Sequence, residues 1–282
     1  MFLVVCAAPA QEFTDLKVDR VISGVMFAEG PAWSRDGYLI FSDIPNNKLL
    51  VLKPGENAGT FRENSNGANG NNFDSQGRLY TCESHSRRVT RTDKKGKIEV
   101  IAERYQGKRL NAPNDIVVRK DGDIYFTDPA FGNQQESREL DFYGVYRLHG
   151  KSELEVIAKP KGRPNGIAIS PNGRVLYVTN SDERNVRAYD LDRNGAASNE
   201  RVLVAHITGI PDGIRVDEKG NLYVAAAQLE VYTPEGKPLA SIPMQEKPSN
   251  CAFGDADFSS LYVTARTSVY RVRLNVKGSV QY

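Results

Sequence analysis

Histidine and cysteine are nearly missing from this chain of 282 residues, with three of each. His85, His149 and His206 occur singly, without histidine or cysteine partners at ligand spacing, which excludes a zinc centre of the usual kinds. Cys6 lies in an apolar leader, so only Cys82 and Cys251 remain for the body of the protein. Each falls inside a predicted strand of a different repeat, and they read as two buried free thiols, not a disulfide framework. An excess of one charge is also lacking. The net charge is +2 with both signs interspersed, which argues against a nucleic-acid or anionic-membrane surface. No apolar run reaches the ~18 residues of a membrane span. Nothing between residues 20 and 275 sustains a helical period.

What is present is a repeat. An apolar run, a polar turn and a second run return as YLIFSD, RLYTCE, DIYFTD, RVLYVTN, NLYVAA and SLYVTA. The turns centre on Gly37, Gly77, Gly122, Gly173, Gly220 and, degenerately, Ser259, at spacings of 40, 45, 51, 47 and 39 residues. Short strands repeated every ~40–50 residues are the signature of a β-propeller. Alternation and β-branched or aromatic enrichment predict four strands per repeat; in the third these are IVVR, DIYFTD, GVYRLH and LEVIA. The sixth repeat has only three after Pro248. Its fourth is expected from Lys17 to Ser23, which closes the ring and removes two exposed sheet edges. The expected fold is all-β, a six-bladed propeller closed by the N-terminal strand, forming one domain over residues 11–282.

The repeat brings equivalent residues to one axis, and those residues are polar. Eight positions before each turn centre, taking 257 for the last repeat, stand Glu29, Asn69, Asn114, Asn165, Asp212 and Ser249. Each carries a side-chain oxygen, and each follows Ala or Pro. No Lys or Arg occupies the equivalent positions, so two carboxylates in a narrow channel need a positive partner. A divalent cation meets that need, and all-oxygen ligation by carboxylates and amides fits calcium, with zinc, magnesium or manganese as substitutes. The alternative is a water-filled channel around which these side chains bond one another. Asp43, Glu83, Asp128 and Asn180, at the ends of the second strands, are expected near the same ring. So is the long Pro129–Tyr143 connection, a candidate lid.

FAEGPAW (Phe27 to Trp33), NAPNDIVVRKDGDIYFTDPAFG (Asn111 to Gly132), RPNGIAIS (Arg163 to Ser170) and PDGIRVD (Pro211 to Asp217) resemble the SMP-30/gluconolactonase/luciferin-regenerating family. The likeness runs over nearly the whole chain after about residue 20. It implies a six-bladed propeller with one divalent metal, usually calcium, on the axis. It also implies metal ligands at Glu29, Asn165 and Asp212, with Asn114 on metal or substrate. Asn69 and Ser249 then take supporting roles in the channel. Where the animal sugar-lactone branch of the family has an Arg, this chain has Ala112. That departure, with Phe131 and the Asp128-Pro129 pair, suggests a bacterial type of lactonase and a substrate less polar than gluconolactone.

The resemblance implies hydrolysis of a small lactone, with Asp212 as general base or nucleophile. Asn114, Glu83, His85, Asp128 and Phe131 are expected to contact the substrate, His85 also as proton carrier. The nearest rival is a phosphotriester hydrolase with the same ligands. A non-catalytic binding platform has no need of two axial carboxylates, and Asn165 with Asp212 disfavours a metal-free synthase. A monomer or weak dimer is expected. Phe2 to Ala8 followed by Ala8-Pro9-Ala10 resembles the end of a signal peptide, so residues 1–10 read as its remnant. A periplasmic or secreted location is expected over a cytoplasmic one.

Overall fold

The computed structural model describes residues 13–150 and 154–280; the leader expected at residues 1–10 lies outside them. Six four-stranded antiparallel sheets follow one another around an axis. Their innermost strands are Ala28–Ser34, Ala68–Phe73, Ile116–Val118, Pro164–Ile169, Ile214–Val216 and Pro248–Gly254, which open blades 1 to 6 in that order. Blade 6 takes its outermost strand, Val18–Ser23, from the other end of the chain. It pairs antiparallel with Ser268–Arg273, Val18 opposite Val272 and Ser23 opposite Ser268. The closure expected from the sequence is the one observed. Among the described residues the only helix is a 3-10 turn, Gly132–Gln135.

Alternation along the strands divides the apolar residues between neighbouring blades. In the second strand of blade 1, Leu39 and Phe41 pack against Tyr262 and Val269 of blade 6. Ile40, between them, packs against Phe73 and Leu79 of blade 2. The same division recurs around the ring, so the described residues form six apolar cores, each wedged between two sheets. Cys82 and Cys251 lie in two of these cores as buried free thiols. Because the apolar surface is spent between blades, the axis is left to polar groups.

Five of the six inner hairpins turn at the expected glycines, Gly37, Gly77, Gly122, Gly173 and Gly220, all with positive φ. The sixth differs from expectation. Its left-handed residues are Asp255 (φ 66°) and Phe258 (φ 57°), not Ser259, and the Phe258 NH donates to the Asp255 carbonyl at 3.2 Å. The turn there is longer, and Phe258 tolerates the strained backbone while its ring packs near Trp33 in the core between blades 6 and 1.

Candidate active site

The ring residues are the first or second residues of the inner strands, or lead into them, and neighbouring blades lock them to one another. The Gly70 NH donates to the Asn114 carbonyl at 2.7 Å, Gly166 to Asp212 at 3.1 Å and Gly213 to Ser249 at 2.8 Å. Hydroxyls from second strands add to this. Thr127 Oγ1 donates to the Asn165 carbonyl at 2.5 Å and Thr179 Oγ1 to the Asp212 carbonyl at 2.6 Å. Strands this close leave no room beyond a glycine. A Cβ on Gly166 would lie 2.4 Å from the Asp212 carbonyl oxygen, and one on Gly213 only 2.1 Å from Asn250 Cγ.

The position after the ring oxygen is therefore Gly30, Gly70, Gly166 and Gly213 in four blades. In the other two it is Asp115 and Asn250, and both side chains enter the channel. Asp115 is 1% exposed and receives Arg215 Nη1 at 3.1 Å, the Ile167 NH at 3.3 Å and Asn250 Nδ2 at 3.4 Å. Asn250 Nδ2 also reaches Glu29 Oε2 at 3.3 Å. Arg215 is thus an axial cation that the ring positions alone do not reveal, because its guanidinium arrives from three residues further along blade 5. The departure from glycine at 115 and 250 was the available signal.

Glu29 and Asp212 share the axis. Removal from water raises the Glu29 carboxyl well above its ordinary range, and the charges of Asp212 and Asp115 push it further. The Asp212 carboxyl is pushed up to about 7, chiefly by burial. Lys247 and the Asn165 amide act against that rise, and Asp115 adds to it. Asn165 Nδ2 donates to Ser181 Oγ at 3.1 Å, which fixes the amide. Ser249 is engaged elsewhere, its Oγ donating to the Ala28 carbonyl at 2.7 Å.

One end of the channel is open. A cleft of about 600 Å³ lies beside the ring, lined by Asn69, His85, Ala112, Asn114, Phe131 and Gln134 among others. Part of the Pro129–Tyr143 connection forms its wall. Arg87 holds that segment through the Ser137 carbonyl at 2.9 Å, and the Arg163 guanidinium lies over the Phe131 ring at 4.7 Å. At the far end, Trp33, Phe73 and Phe253 leave only about 70 Å³ around Arg215. The C-terminal segment closes this end, with the Ser279 NH donating to the Val216 carbonyl at 2.9 Å.

Two of the expected substrate contacts are not in the cleft. Glu83 and Asp128 are fully buried. Glu83 pairs with Arg62 at 3.1 Å and Arg88 at 2.7 Å. Asp128 accepts the backbone NH groups of Asn111 and Ala112, both at 2.8 Å, and Asp43 accepts those of Met26 and Phe27 at 3.2 Å. The reason is register. Ala28, not Glu29, lies opposite Asp43, so the second-strand carboxylates point away from the axis and hold the segments that lead into the ring. Among the described residues no group of three or more His, Cys, Asp or Glu forms a metal cluster. Any ion at the ring would rest on two carboxylates and amide oxygens.

Blades, closure and a polar axis with one open mouth define a six-bladed propeller with an axial site. Residues 27–267 match the SMP-30/Gluconolactonase/LRE-like region, and the chain belongs to that family. It is 33% identical to a gluconolactonase of Zymomonas mobilis, over 93% of this chain and 82% of that protein. A solved structure described as a gluconolactonase from Xanthomonas campestris superposes with a TM-score of 0.88 at 32% identity, covering 94% of this chain and 91% of the other. A pentonolactonase of Haloferax volcanii is 25% identical over 88% of this chain and 85% of its own length.

Proposed function

We propose that the protein is a lactonase that uses one divalent cation, calcium by preference. The observation that carries this reading is the pair of axial carboxylates, Glu29 buried and Asp212 half-buried, with no Lys or Arg at an equivalent ring position. Arg215 does not neutralise both, since it ion-pairs with Asp115 and only secondarily feels the charge of Glu29. Glu29, Asn114, Asn165 and Asp212 would hold the ion, a donor set of hard oxygens with two negative charges, which suits calcium. Bound there, the cation would supply positive charge for the lactone carbonyl oxygen as negative charge builds on it.

The remaining work falls to the chain. Asp212 takes a proton on Oδ from the attacking water, whose oxygen bonds to the lactone carbonyl carbon. The ring C–O bond then breaks, and the proton passes to the departing ring oxygen, so that lactone and water give a hydroxy acid. Asn165, fixed by Ser181, keeps its amide against Asp212. Asn114 opens into the cleft and orients the ring, with Phe131 covering its apolar face. The closed far end keeps bulk water from reaching the axis from below. Similarity to gluconolactonases supports a lactone as the substrate class. The test is base uptake by EDTA-treated, calcium-reloaded protein on D-glucono-δ-lactone and on a phosphotriester. Calcium-dependent lactone turnover is expected; preference for the phosphotriester, or no lactone turnover, contradicts the reading.

A further inference from the structure

Two residues before the ring oxygens stand Phe27, Gly67, Ala112, Arg163, Ile210 and Lys247, on the open face of the propeller. Ala112 was the basis for expecting a less polar substrate, but two of its equivalents are cations, and they flank the blade that supplies Asp212. Arg163 is already paired. Its Nε lies 3.0 Å from Asp182 Oδ1, and its backbone NH donates to the same carboxylate at 2.8 Å. Lys247 differs. It is half-buried, and among the described residues no carboxylate forms an ion pair with its ammonium. The adjacent Glu246 turns away, accepting from the Thr267 NH at 2.8 Å and the Tyr270 hydroxyl at 3.0 Å. Two residues on, the Ser249 carbonyl accepts the Gly213 NH at 2.8 Å, which sets this strand against the Asp212 segment.

The charges at the ring, at its floor and at its mouth can be matched in pairs. Arg215 offsets Asp115, and Arg163 offsets Asp182. A divalent ion would offset Glu29 and Asp212. The positive charge of Lys247 is then left without a partner beside the reacting carbonyl, partly stripped of water. A half-buried ammonium regains what it lost in hydration when an anion binds it.

We propose that Lys247 anchors an anion subsite beside Asp212, and that the preferred lactones carry a negatively charged substituent, a carboxylate or a phosphate ester. This rests on the lactonase reading above. Wild type, Lys247→Gln and Lys247→Arg are compared on the lactone of D-glucaric acid, a phosphorylated gluconolactone and neutral D-glucono-δ-lactone. Lys247→Gln should raise KM for the preferred charged lactone roughly ten- to a hundredfold at nearly constant kcat. The neutral lactone should change less than about threefold, and Lys247→Arg should keep most of the preference. Which charged lactone responds identifies the anion. Equal losses on all three, or no preference for either charged lactone in the wild type, overturns the subsite. If no lactone is hydrolysed, the lactonase reading fails, and the subsite is judged by melting shifts with D-glucarate and phosphogluconate. A shift abolished by Lys247→Gln supports it; an absent shift, or one unchanged in the variant, overturns it.

Discussion

Asp115 and Arg215 lie one hundred residues apart in the chain and meet across the propeller axis, Nη1 to Oδ2 at 3.1 Å. The pair forms a floor beneath the ring, with the carboxylate 1% exposed and the guanidinium 13%. Arg215→Met should leave Asp115 buried and unpaired, at a cost of about 3–5 kcal/mol in denaturant unfolding. Adding Asp115→Asn should recover a large part of that loss. Equal stability of Arg215→Met and wild type would show that the pair contributes nothing.

Asp128 and Asp43 are anchors for the segments entering the ring, so their removal should act through stability. Asp128→Ala strands two buried NH groups, those of Asn111 and Ala112, each costing about 1–3 kcal/mol. The expected result is a fall in melting temperature with KM for a lactone little changed below the transition. A large rise in KM in a fully folded variant would restore Asp128 as a substrate contact.

Close approach of the inner strands gives a sharper test of the ring. Gly166→Ala drives a methyl group towards the Asp212 carbonyl, where the unmodified backbone leaves 2.4 Å. Overpacking of this kind costs about 1–3 kcal/mol. Because the displaced residue is Asp212 itself, turnover should fall more than stability does. Wild-type kcat in Gly166→Ala would mean that the ring tolerates movement.

The pH dependence has a definite sign. Burial raises Glu29 and Asp212 in the ion-free protein, Asp212 to about 7, and also raises Asp128 to about 7. An unfolded carboxyl titrates near pH ~4, so each raised group lends stability that is full below that value and lost as the pH climbs through its folded pKa, about 7 for Asp212 and Asp128. EDTA-treated protein should lose melting temperature over that window. Calcium competes with the same protons, so its stabilising shift should grow over the same range. A calcium shift that does not vary with pH would contradict the assignment of Glu29 and Asp212 as ligands.

Much of this was legible in the sequence because a propeller repeats its grammar. The Gly turns located the inner strands, and counting back from them gave the six ring positions Glu29, Asn69, Asn114, Asn165, Asp212 and Ser249 without any fold in hand; the choice among them rested on the family resemblance. The Val18–Ser23 closure followed from a missing strand. What escaped was whatever depends on side-chain direction. The Asp43 and Asp128 carboxylates sit one register step from the ring and so face away from it. Arg215 reaches the axis from outside the repeated position. Lys247 stands at the position equivalent to Ala112 in another blade, and its side chain has no repeated motif to mark it. The longer turn at Phe258 likewise has no glycine to announce it.

The central claim is that lactone hydrolysis requires a cation held between Glu29 and Asp212. The direct measurement is lactone turnover against bound calcium, titrated into EDTA-treated wild type and Asp212→Asn. The wild type should recover turnover in proportion to occupancy and saturate at one ion per chain, while Asp212→Asn stays inactive at every calcium concentration. Full turnover by the ion-free wild type, or by Asp212→Asn, would contradict the account.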